Sequence, residues 1–448
     1  MIEGLRPYAD MVATGVDWMP QFPAHWEIHR AKYAFREVDS RSVNGDEELL
    51  SVSHKTGVTP RSQKNITMFM AESYDGHKTC QPGDIVVNTM WAWMAALGIS
   101  QHVGIVSPAY GVYRQRRGND FEPRYLDYLL RTEAYRGEYL RSSRGVTTSR
   151  LRLYPPDFLN IPFVQPPLEE QRLIVRFLDW HGGMTARLIR AKKRLIALLN
   201  EQKQSIIHHA VTRGLDPAAP LKPSGVDWLG NVPEGWEVRK LKQLGRLRSG
   251  DTITAFQIEE SGQFPVYGGN GLRGYTAKFT HEGDYILIGR QGALCGNIHI
   301  ASGEFFASEH AIVVHPRVDF STDWLSEVLR VMNLNQYSLA AAQPGLSVER
   351  IEALELPVPN LVDQQAIAKA MAAETAETNA AIEIVRQEIT LIQEFRTRLI
   401  ADVVTGQFDV RARAATLPEA SEAASFEEPD DDAFDEDADA LEVEEAEA

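Results

Sequence analysis

The sequence has little of what marks a secreted, membrane-bound or metal-binding protein. Only two of its 448 residues are cysteines, Cys80 and Cys295, and no Cys-x-x-Cys spacing occurs. This pattern supplies neither a disulfide framework nor a zinc site. The first residues lack the apolar run of a signal peptide, and no stretch reaches the roughly 18 apolar residues that cross a bilayer. We therefore expect a soluble protein of the reducing cytoplasm.

Motifs of catalysis are also missing from the sequence. It contains no Gly-x-x-x-x-Gly-Lys-Ser/Thr loop, no His-Glu-x-x-His, and no Pro-Asp followed by the Glu-x-Lys of a metal-dependent nuclease. The stretch Tyr154-Pro155-Pro156-Asp157 holds the letters of the adenine-methyltransferase tetrad in reverse order. Because reversal destroys the geometry, we interpret it as a loop before a helix. The sequence predicts no catalytic residue and no metal ligand.

Negative charge is plentiful but concentrated at one end. The net charge is −16, yet residues 414–448 hold 15 acidic side chains and no basic one, so the preceding residues sum to −1. The segment 166–213 is the most basic, with nine basic and four acidic side chains. A nucleic-acid partner is therefore not excluded by the overall charge. We predict that the acidic tail is disordered.

The most informative feature is an internal duplication. A Gly-Val-Asp-Trp block at 15–18 returns 210 positions later at 225–228. The block Pro-Pro-Leu-Glu-Glu-Gln at 166–171 returns 193 positions later as Pro-Asn-Leu-Val-Asp-Gln at 359–364. Two ordered blocks, each leading into a helical pattern, indicate a repeated unit of one globular part and one helix. The difference between the two offsets makes the first globular part 17 residues longer.

Each repeated helix has an apolar stripe at helical spacing. About 45 helical residues span roughly 65 Å, which is typical of a coiled coil or a spacer. Prolines precede each pattern and glycines follow it, and Gly182-Gly183 could kink the first helix. We predict that the stripes pair the helices or dock a partner through these residues: Leu188, Leu195, Leu199, Ile206, Ile384, Leu391, Phe395 and Leu399.

The globular parts have the pattern of mixed strands and helices. Short β-rich runs such as 84–87 and 284–288 are bounded by glycine or proline. Four tryptophans near the repeated openings are assigned to packing, namely Trp18, Trp26, Trp228 and Trp236. The predicted domains are 1–165, 166–213 (helix), 214–358, 359–410 (helix) and the tail 411–448.

In the first globular part, aromatic and basic residues cluster in the sequence. Trp91 and Trp93 precede Tyr110, and three arginines follow within four positions: Arg114, Arg116 and Arg117. Arginine is the usual reader of guanine edges and phosphates, and three so close together are hard to pair internally. Core packing of the aromatic residues and a solvated run of arginines are the competing interpretations.

In the second globular part, the stretch 267–274 is rich in glycine. A dinucleotide site would need a following helix, which the sequence does not predict, so a turn in a β region is favoured. Glycines let a turn approach DNA closely. Candidate DNA-binding residues here are Tyr267, Asn270, Arg273, Lys278, Arg290 and Gln291.

The duplicated Pro-x-Leu-x-Glu/Asp-Gln start, the Gly-x-x-x-x-Arg-Leu/Ile block before it and the Gly-Val-Asp-Trp opening are distinctive together. With them, residues 15 to about 410 resemble the specificity subunit of a type I restriction-modification enzyme. The resemblance implies an α+β fold with two mixed α/β target-recognition domains. Two long antiparallel conserved helices would separate these domains as a coiled-coil spacer, giving a pseudo-twofold internal repeat with an acidic tail outside it.

The resemblance also implies a function and partners. Each domain would read one half of an asymmetric bipartite site in double-stranded DNA, and two methyltransferase subunits and the restriction/translocase subunits would join. No membrane is implied. This chain would bind no cofactor, with S-adenosylmethionine, ATP and Mg²⁺ expected in the partner subunits. The alternative is a coiled-coil adaptor with two protein-binding domains.

Overall fold

The computed structural model has two compact units. Unit 1 comprises residues up to Ala191 together with those from Glu388 onward, and unit 2 comprises Lys192–Gln387. The chain therefore begins unit 1, forms unit 2 and then returns to unit 1. The structure describes residues 5–64, 73–118, 120–147, 150–292, 294–338 and 345–418.

Strands dominate the first part of the chain, and a long helix ends it. The strands are β1 Met11–Val16, β2 Met19–Pro23, β3 Glu27–Arg30, β4 Phe35–Glu37, β5 Leu50–Ser53, β6 Gly57–Pro60, β7 Lys78–Cys80, β8 Ile85–Val87, β9 Leu97–Ile99, β10 Gly104–Val106, β11 Gly111–Gln115 and β12 Pro162–Gln165. The helices are α1 Ala31–Ala34, α2 Pro123–Leu130, α3 Glu133–Ser142, α4 Pro155–Phe158 and α5 Leu168–Arg213.

The second part repeats this order. Its strands are β13 Leu221–Pro223, β14 Asn231–Pro233, β15 Glu237–Lys240, β16 Gly245–Ser249, β17 Phe264–Gly268, β18 Gly271–Thr276, β19 His281–Glu282, β20 Tyr285–Gly289, β21 Ile298–Ala301, β22 Glu304–Ala307, β23 Ala311–Pro316 and β24 Glu355–Val358. Its helices are α6 Leu241–Leu244, α7 Thr322–Val331, α8 Val348–Glu352 and α9 Leu361–Val404, and α10 Arg411–Ala415 follows.

The same antiparallel sheet forms the centre of each unit. In unit 1 the strand order is β4-β11-β8-β9, and in unit 2 it is β16-β23-β20-β21. Alternating residues of these strands are apolar and buried, so each sheet packs one face on the helices of its own unit. The duplication predicted from the sequence is thus confirmed in the fold.

The two units differ in what is added to this sheet. Unit 1 adds the hairpin β5-β6 and the pair β7-β10, whereas unit 2 adds a second four-stranded sheet in the order β18-β17-β22-β19. A separate small core in unit 2, built around Leu287, Phe305 and Val313, fills the space between its two sheets. The shared sheet is the scaffold, and the additions are the parts in which the units diverge.

The two long helices run antiparallel where they meet. In unit 2 the Lys203 Nζ donates to Asn379 Oδ1 at 2.8 Å. In unit 1 a small cavity is enclosed by Leu178 and Thr185 of α5 and by Phe395 and Ile400 of α9. Helix α5 is continuous through Gly182-Gly183, so these glycines do not split it. Among the described residues, no helix is both long and apolar enough to cross a membrane.

The face that pairs the helices differs from the predicted stripe by one position in several places. Leu188 and Leu195 are 47% and 43% exposed, whereas their neighbour Ile189 is buried and Ile196 is partly buried. In α9, Ile382 and Val385 are buried. The prediction of helix pairing was wrong for Leu188, Leu195, Ile384 and Leu391, which are exposed, and their docking of a partner stays a prediction. Phe395 is 48% exposed but lines the cavity between the helices, and Leu199, Ile206 and Leu399 are partly or fully buried.

The repeated glutamine of the second sequence block ties each long helix to its unit. Gln171 donates through Nε2 to Pro166 O at 2.8 Å and accepts at Oε1 from the Glu122 amide at 2.8 Å. Gln364 repeats both bonds, to Pro359 O at 2.9 Å and from the Ser321 amide at 3.0 Å. Both side chains are buried, so this block encodes the junction between sheet and helix.

The repeated tryptophans lie in the cores, as predicted. Trp26 and Trp236 are 4% and 6% exposed, and Trp18 and Trp228 pack partly buried against the same cores. Gly406 and Gly214, each just beyond a long helix, have φ of +77° and lie against Trp26 and Trp236 respectively. A side chain there would be strained and would meet the indole ring.

The C-terminal residues up to Pro418 belong to unit 1. Val410, Ala414 and Leu417 are buried in its core, and the Leu417 carbonyl accepts a hydrogen bond from Arg176. The predicted start of a disordered tail at residue 411 was therefore wrong, because helix α10 and the segment after it cover apolar surface. The acidic residues from 419 onward lie outside the described residues.

The stretch Tyr154-Pro155-Pro156-Asp157 is not the predicted loop. It begins the short helix α4, in which Pro155 occupies the first turn. Arg144 Nη2 donates to Asp157 Oδ1 at 2.6 Å, and Phe158 is fully buried. The motif has a structural role in joining α4 to the end of α3.

Candidate nucleic-acid interface

Arg114 is held inside unit 1. Its Nε and Nη2 donate to Asp84 Oδ1 and Oδ2 at 2.8 and 2.7 Å, and the Asp84 side chain is only 1% exposed. This hydrogen bonding raises the pKa of the guanidinium above its usual range. This bidentate ion pair with a buried carboxylate fixes strand β11 to the turn before β8. The sequence predicted that the three arginines would not all be paired internally, and Arg114 is one that is paired.

The other two arginines of the run lie at the surface. Arg116 is exposed, and its Nε donates to the carbonyl oxygens of Lys32 and Phe35 at 3.2 and 3.1 Å. These bonds fix the base of the side chain against α1 and leave its charge facing outward. Arg117 is exposed in the following turn. Both remain candidates for contact with a phosphate.

The aromatic residues divide between the core and the surface. Tyr110 is 6% exposed and accepts a hydrogen bond from Asn88 Nδ2 at 2.9 Å, so it belongs to the core. Trp91 and Trp93 are half-buried and stacked, with ring centroids 5.8 Å apart. The Trp93 Nε1 donates to Met90 O at 3.1 Å. The Trp91–Trp93 pair lies near Tyr110 because the Trp91 amide bonds to Asn88.

The glycine-rich stretch of unit 2 is the turn of a β-hairpin, as predicted. Strands β17 and β18 pair antiparallel, and Gly269 and Asn270 form the turn between Gly268 and Gly271. Tyr267 is half-buried, with its ring 5.7 Å from that of Phe305. The Arg273 side chain crosses Gly268 closely, where a Cβ atom would meet it at 2.4 Å.

The hairpin turn lies beside two other chain segments of unit 2. A Cβ atom on Gly269 would lie 3.2 Å from the carbonyl oxygens of Gln291 and His310, so the three backbones are in close contact. Asn297 Nδ2 donates to Asn270 Oδ1 at 3.1 Å. The turn is therefore packed against the segments that follow β20 and precede β23.

Polar side chains of these segments are joined to one another. Arg290 Nη1 donates to Ser249 Oγ at 3.0 Å, and Gln291 Oε1 lies 3.1 Å from His310 Nδ1. The imidazole Nε2 lies 3.3 Å from Glu309 Oε1. We define the unit 2 cluster as Asn270, Arg290, Gln291, Glu309 and His310.

The structure brings together three of the predicted residues in this cluster and separates others from it. Arg273 is exposed next to the turn, whereas Lys278 is exposed beyond the far end of β18. The sequence interpretation missed Glu309 and His310, whose position follows from the pairing of β23 with β20 and β16. A polar Ser-Glu-His segment just before a buried apolar strand was the available signal.

The cluster presents groups that suit the edges of bases. Arginine pairs with guanine, asparagine and glutamine pair with adenine, and a carboxylate accepts from cytosine. Asn270 and Gln291 are exposed, while Arg290, Glu309 and His310 are partly exposed. Contacts within the cluster join Gln291, His310 and Glu309, and hydrogen bonds with Ser249 and Asn297 hold Arg290 and Asn270. These contacts restrict the rotamers, which favours selective contact over flexible attraction.

Comparison with known proteins defines the class. Residues 233–391 match the family model described as the type I restriction modification DNA specificity domain. Over 152 residues, which are 33% of this chain and 38% of the relative, the sequence is 42% identical to the type I restriction enzyme EcoprrI specificity subunit of Escherichia coli. Over 65% of this chain and 70% of the relative, it is 26% identical to the putative type I restriction enzyme MjaX specificity subunit of Methanocaldococcus jannaschii.

A solved structure shares the fold over most of the chain. It comes from work on complex assembly and conformational transition of the type I R-M system, and it covers 86% of this chain and 98% of that one. The TM-score is 0.61 at 17% identity. In the first two curated relatives the alignments span only 38% and 32% of the relatives' lengths. At this identity the solved structure shows that the fold is shared.

Residues 233–391 thus match the DNA specificity domain, and the chain is similar to type I restriction-modification specificity subunits.

Proposed function

We propose that the chain recognises an asymmetric, bipartite target in double-stranded DNA, with unit 1 reading one half and unit 2 the other. One observation carries the proposal: the two units share the strand order of their central sheet but differ in the strands added to it. A common scaffold gives both units the same way of approaching DNA. Different additions give them different base preferences, so the two half-sites differ.

The long helices are proposed to set the spacing between the half-sites and to dock the methyltransferase subunits. Helix α5 carries an exposed stripe at alternating spacings of four and three residues, which is the pattern of a helix-packing seam. Its large members are 43–51% exposed. The stripe is Met184, Leu188, Ala191, Leu195 and Leu198. The restriction/translocase subunits would join the complex through the methyltransferase subunits.

The chain is proposed to contribute recognition and no chemistry. Affinity would come from neutralising phosphates, and selectivity from side chains at base edges such as those of the unit 2 cluster. S-adenosylmethionine, ATP and Mg²⁺ would be bound by the partner subunits. The role of this chain is then to place one target base in reach of each methyltransferase.

Methylome sequencing tests this proposal. The full-length chain is expressed with a methyltransferase subunit of a type I system in a host that lacks other DNA methylation. We expect modification at one motif made of two different half-sites separated by a fixed spacer. A contiguous palindrome would contradict the proposed reading by two units.

A second measurement separates recognition from the adaptor alternative. The purified complex is mixed with duplexes that carry or lack the motif. Selective binding of the motif, lost when the unit 2 cluster is altered by Arg290→Ala and Gln291→Ala together, rejects a pure protein adaptor. Equal binding of both duplexes would support the adaptor.

A further inference from the structure

The segments that open the shared sheets are alike in detail. Residues 21–36 and 231–246 have the same sequence of strand, short helix and strand. They also have the same pattern of buried, half-buried and exposed positions at every residue. The duplicated opening is therefore preserved as a surface as well as a core, although the remaining parts of the units differ.

Positive charge recurs at the same exposed positions of this surface. Basic residues 210 positions apart pair as Arg30 with Lys240, Lys32 with Lys242, and Arg36 with Arg246. All six side chains are exposed. The buried residues between them differ between the units, with alanine and phenylalanine in unit 1 and leucine and glycine in unit 2. The exposed positive charges are therefore the same in both units, although the buried residues beside them are not.

A fourth basic pair comes from a different part of each unit. The Arg116 amide donates to Ala34 O at 2.7 Å, and the Arg317 amide donates to Leu244 O at 2.8 Å. Both arginines are exposed and directly follow the equivalent strands β11 and β23. We define basic patch 1 as Arg30, Lys32, Arg36 and Arg116, and basic patch 2 as Lys240, Lys242, Arg246 and Arg317.

Both patches carry cations without a close acidic partner in the part of the chain that the structure describes. Among the residues that the structure describes, none of the eight side chains forms an ion pair. In patch 1, Arg30 Nη1 and Lys32 Nζ both donate to Asn160 Oδ1 at 3.3 Å. Two cations that share one neutral amide oxygen repel each other, and an incoming anion would relieve that repulsion.

We propose that the two basic patches are equivalent phosphate anchors, which hold the DNA backbone beside each half-site in the same way. The inference rests on the proposed function and adds the residues that bind without reading sequence. One anchor per unit positions the different recognition surfaces at corresponding places on the two half-sites. Base selectivity then stays with residues outside the patches.

Salt-dependent DNA binding tests the anchors. Two triple variants of the full-length chain are compared with the parent, Arg30→Gln/Lys32→Gln/Arg36→Gln and Lys240→Gln/Lys242→Gln/Arg246→Gln. The probe is a fluorescent duplex of mixed sequence, titrated between about 50 and 200 mM salt. The logarithm of the DNA association constant falls linearly with the logarithm of the salt concentration, and each phosphate contact contributes about 0.9 to the steepness of that slope. We therefore expect the slope of either variant to be shallower than that of the parent by about 2 to 3.

A matched control removes charge elsewhere. Arg136→Gln/Arg141→Gln alters two exposed arginines that are already paired with Glu133 and Glu138 on α3. This control should change the slope by much less than either triple variant. Replacing Arg36 and Arg246 by lysine should retain the slope, because a phosphate accepts a point charge as well.

The outcomes separate the two proposals. Unchanged slopes in triple variants that still select the target would overturn the anchors alone. Unchanged slopes with loss of methyltransferase subunits on co-purification would make the patches a protein interface, which also overturns them. A parent chain without measurable DNA affinity would instead contradict the proposed function.

Discussion

Single residues in this protein carry their roles through partners that are distant in sequence. Asp84, just before β8, pairs with Arg114 on the neighbouring strand β11, and Glu170 at the start of α5 accepts hydrogen bonds from Tyr8 and Trp26 at 2.6 and 3.0 Å. Burial and the bond to Glu170 raise the pKa of Tyr8 far above its ordinary value. Residues that look available for DNA can therefore be structural.

Arg114 illustrates this distinction and gives the first prediction. Replacing Arg114 by glutamine leaves the buried Asp84 carboxylate without its two-pronged partner, so unfolding free energy should fall by about 2 to 3 kcal/mol. Urea denaturation measures the change. Arg117→Gln, at an exposed site, should leave stability unchanged. A stable Arg114→Gln protein with impaired DNA binding would show instead that Arg114 is a reader.

Two histidines in unit 2 give a pH dependence. The rings of His281 and His315 are 5.3 Å apart, and burial lowers the pKa of both. Arg246 and Arg248 lower the pKa of His315 further, whereas Asp251 opposes the shift at His281. The unfolded chain then binds protons more readily, so their stabilising contribution is present above a pH of about 6.5 and is lost as pH falls below it.

The expected result is a melting temperature that drops between pH 7 and pH 5. A His281→Gln/His315→Gln variant should flatten that drop, and His209→Gln, at an exposed site of α5, should not. Differential scanning calorimetry across the pH series makes the comparison. An equally steep drop in the double variant would exclude the pair as its cause.

At the scale of elements, the long helices separate a pairing face from an outward face. Ile189→Ala should cost about 2 to 3 kcal/mol of stability, because Ile189 is buried. Leu188→Ala, one residue earlier, should change stability by less than about 0.5 kcal/mol. If Leu188 docks a partner, its substitution should weaken co-purification with the methyltransferase subunits. The reverse pattern of stabilities would contradict the assigned faces.

The spacer role makes a separate prediction about length. Inserting about four residues, one helical turn, at matched sites of α5 and α9 should lengthen the gap between half-sites. The bases within the half-sites should stay the same. Methylome sequencing compares the parent and the insertion variant. A change in the bases read would refute the division between scaffold and reader.

The sequence predicted the elements better than their contacts. Repeated blocks located both helices and a repeated globular part, and the sheet order that the two units share became visible only in the structure. Neighbouring apolar residues such as Leu188 and Ile189 gave two competing stripes, so periodicity alone could not select the pairing face. In the candidate site, Asn270, Arg290 and Gln291 were predicted, whereas His310 joins them only through the pairing of β23.

At the scale of the molecule, the end of the folded chain can be tested by truncation. Deletion after Pro418 removes the acidic residues from 419 onward and keeps Leu417, which is 5% exposed. Stability should be unchanged. Deletion after Arg413 also removes Ala414 and Leu417 from the core of unit 1, and it should cost about 2 to 4 kcal/mol.

The same truncation tests whether the acidic tail reduces non-specific binding to DNA. Its acidic side chains would compete with phosphates for basic surface, so deletion after Pro418 should raise affinity for mixed-sequence DNA at low salt. Fluorescence anisotropy of the complete and shortened chains measures this. Equal affinities would leave solubility as the tail's contribution.

The return of the chain to unit 1 has a consequence for its synthesis. Protein is made from the N-terminus, and domains usually fold in that order. Unit 1 needs Val403, Val410 and Leu417 to complete its core, and Trp26 packs on Gly406. Unit 2 is a continuous segment, and all of it is synthesised before these residues are added to the chain. The half that is translated first is therefore the half that finishes folding last.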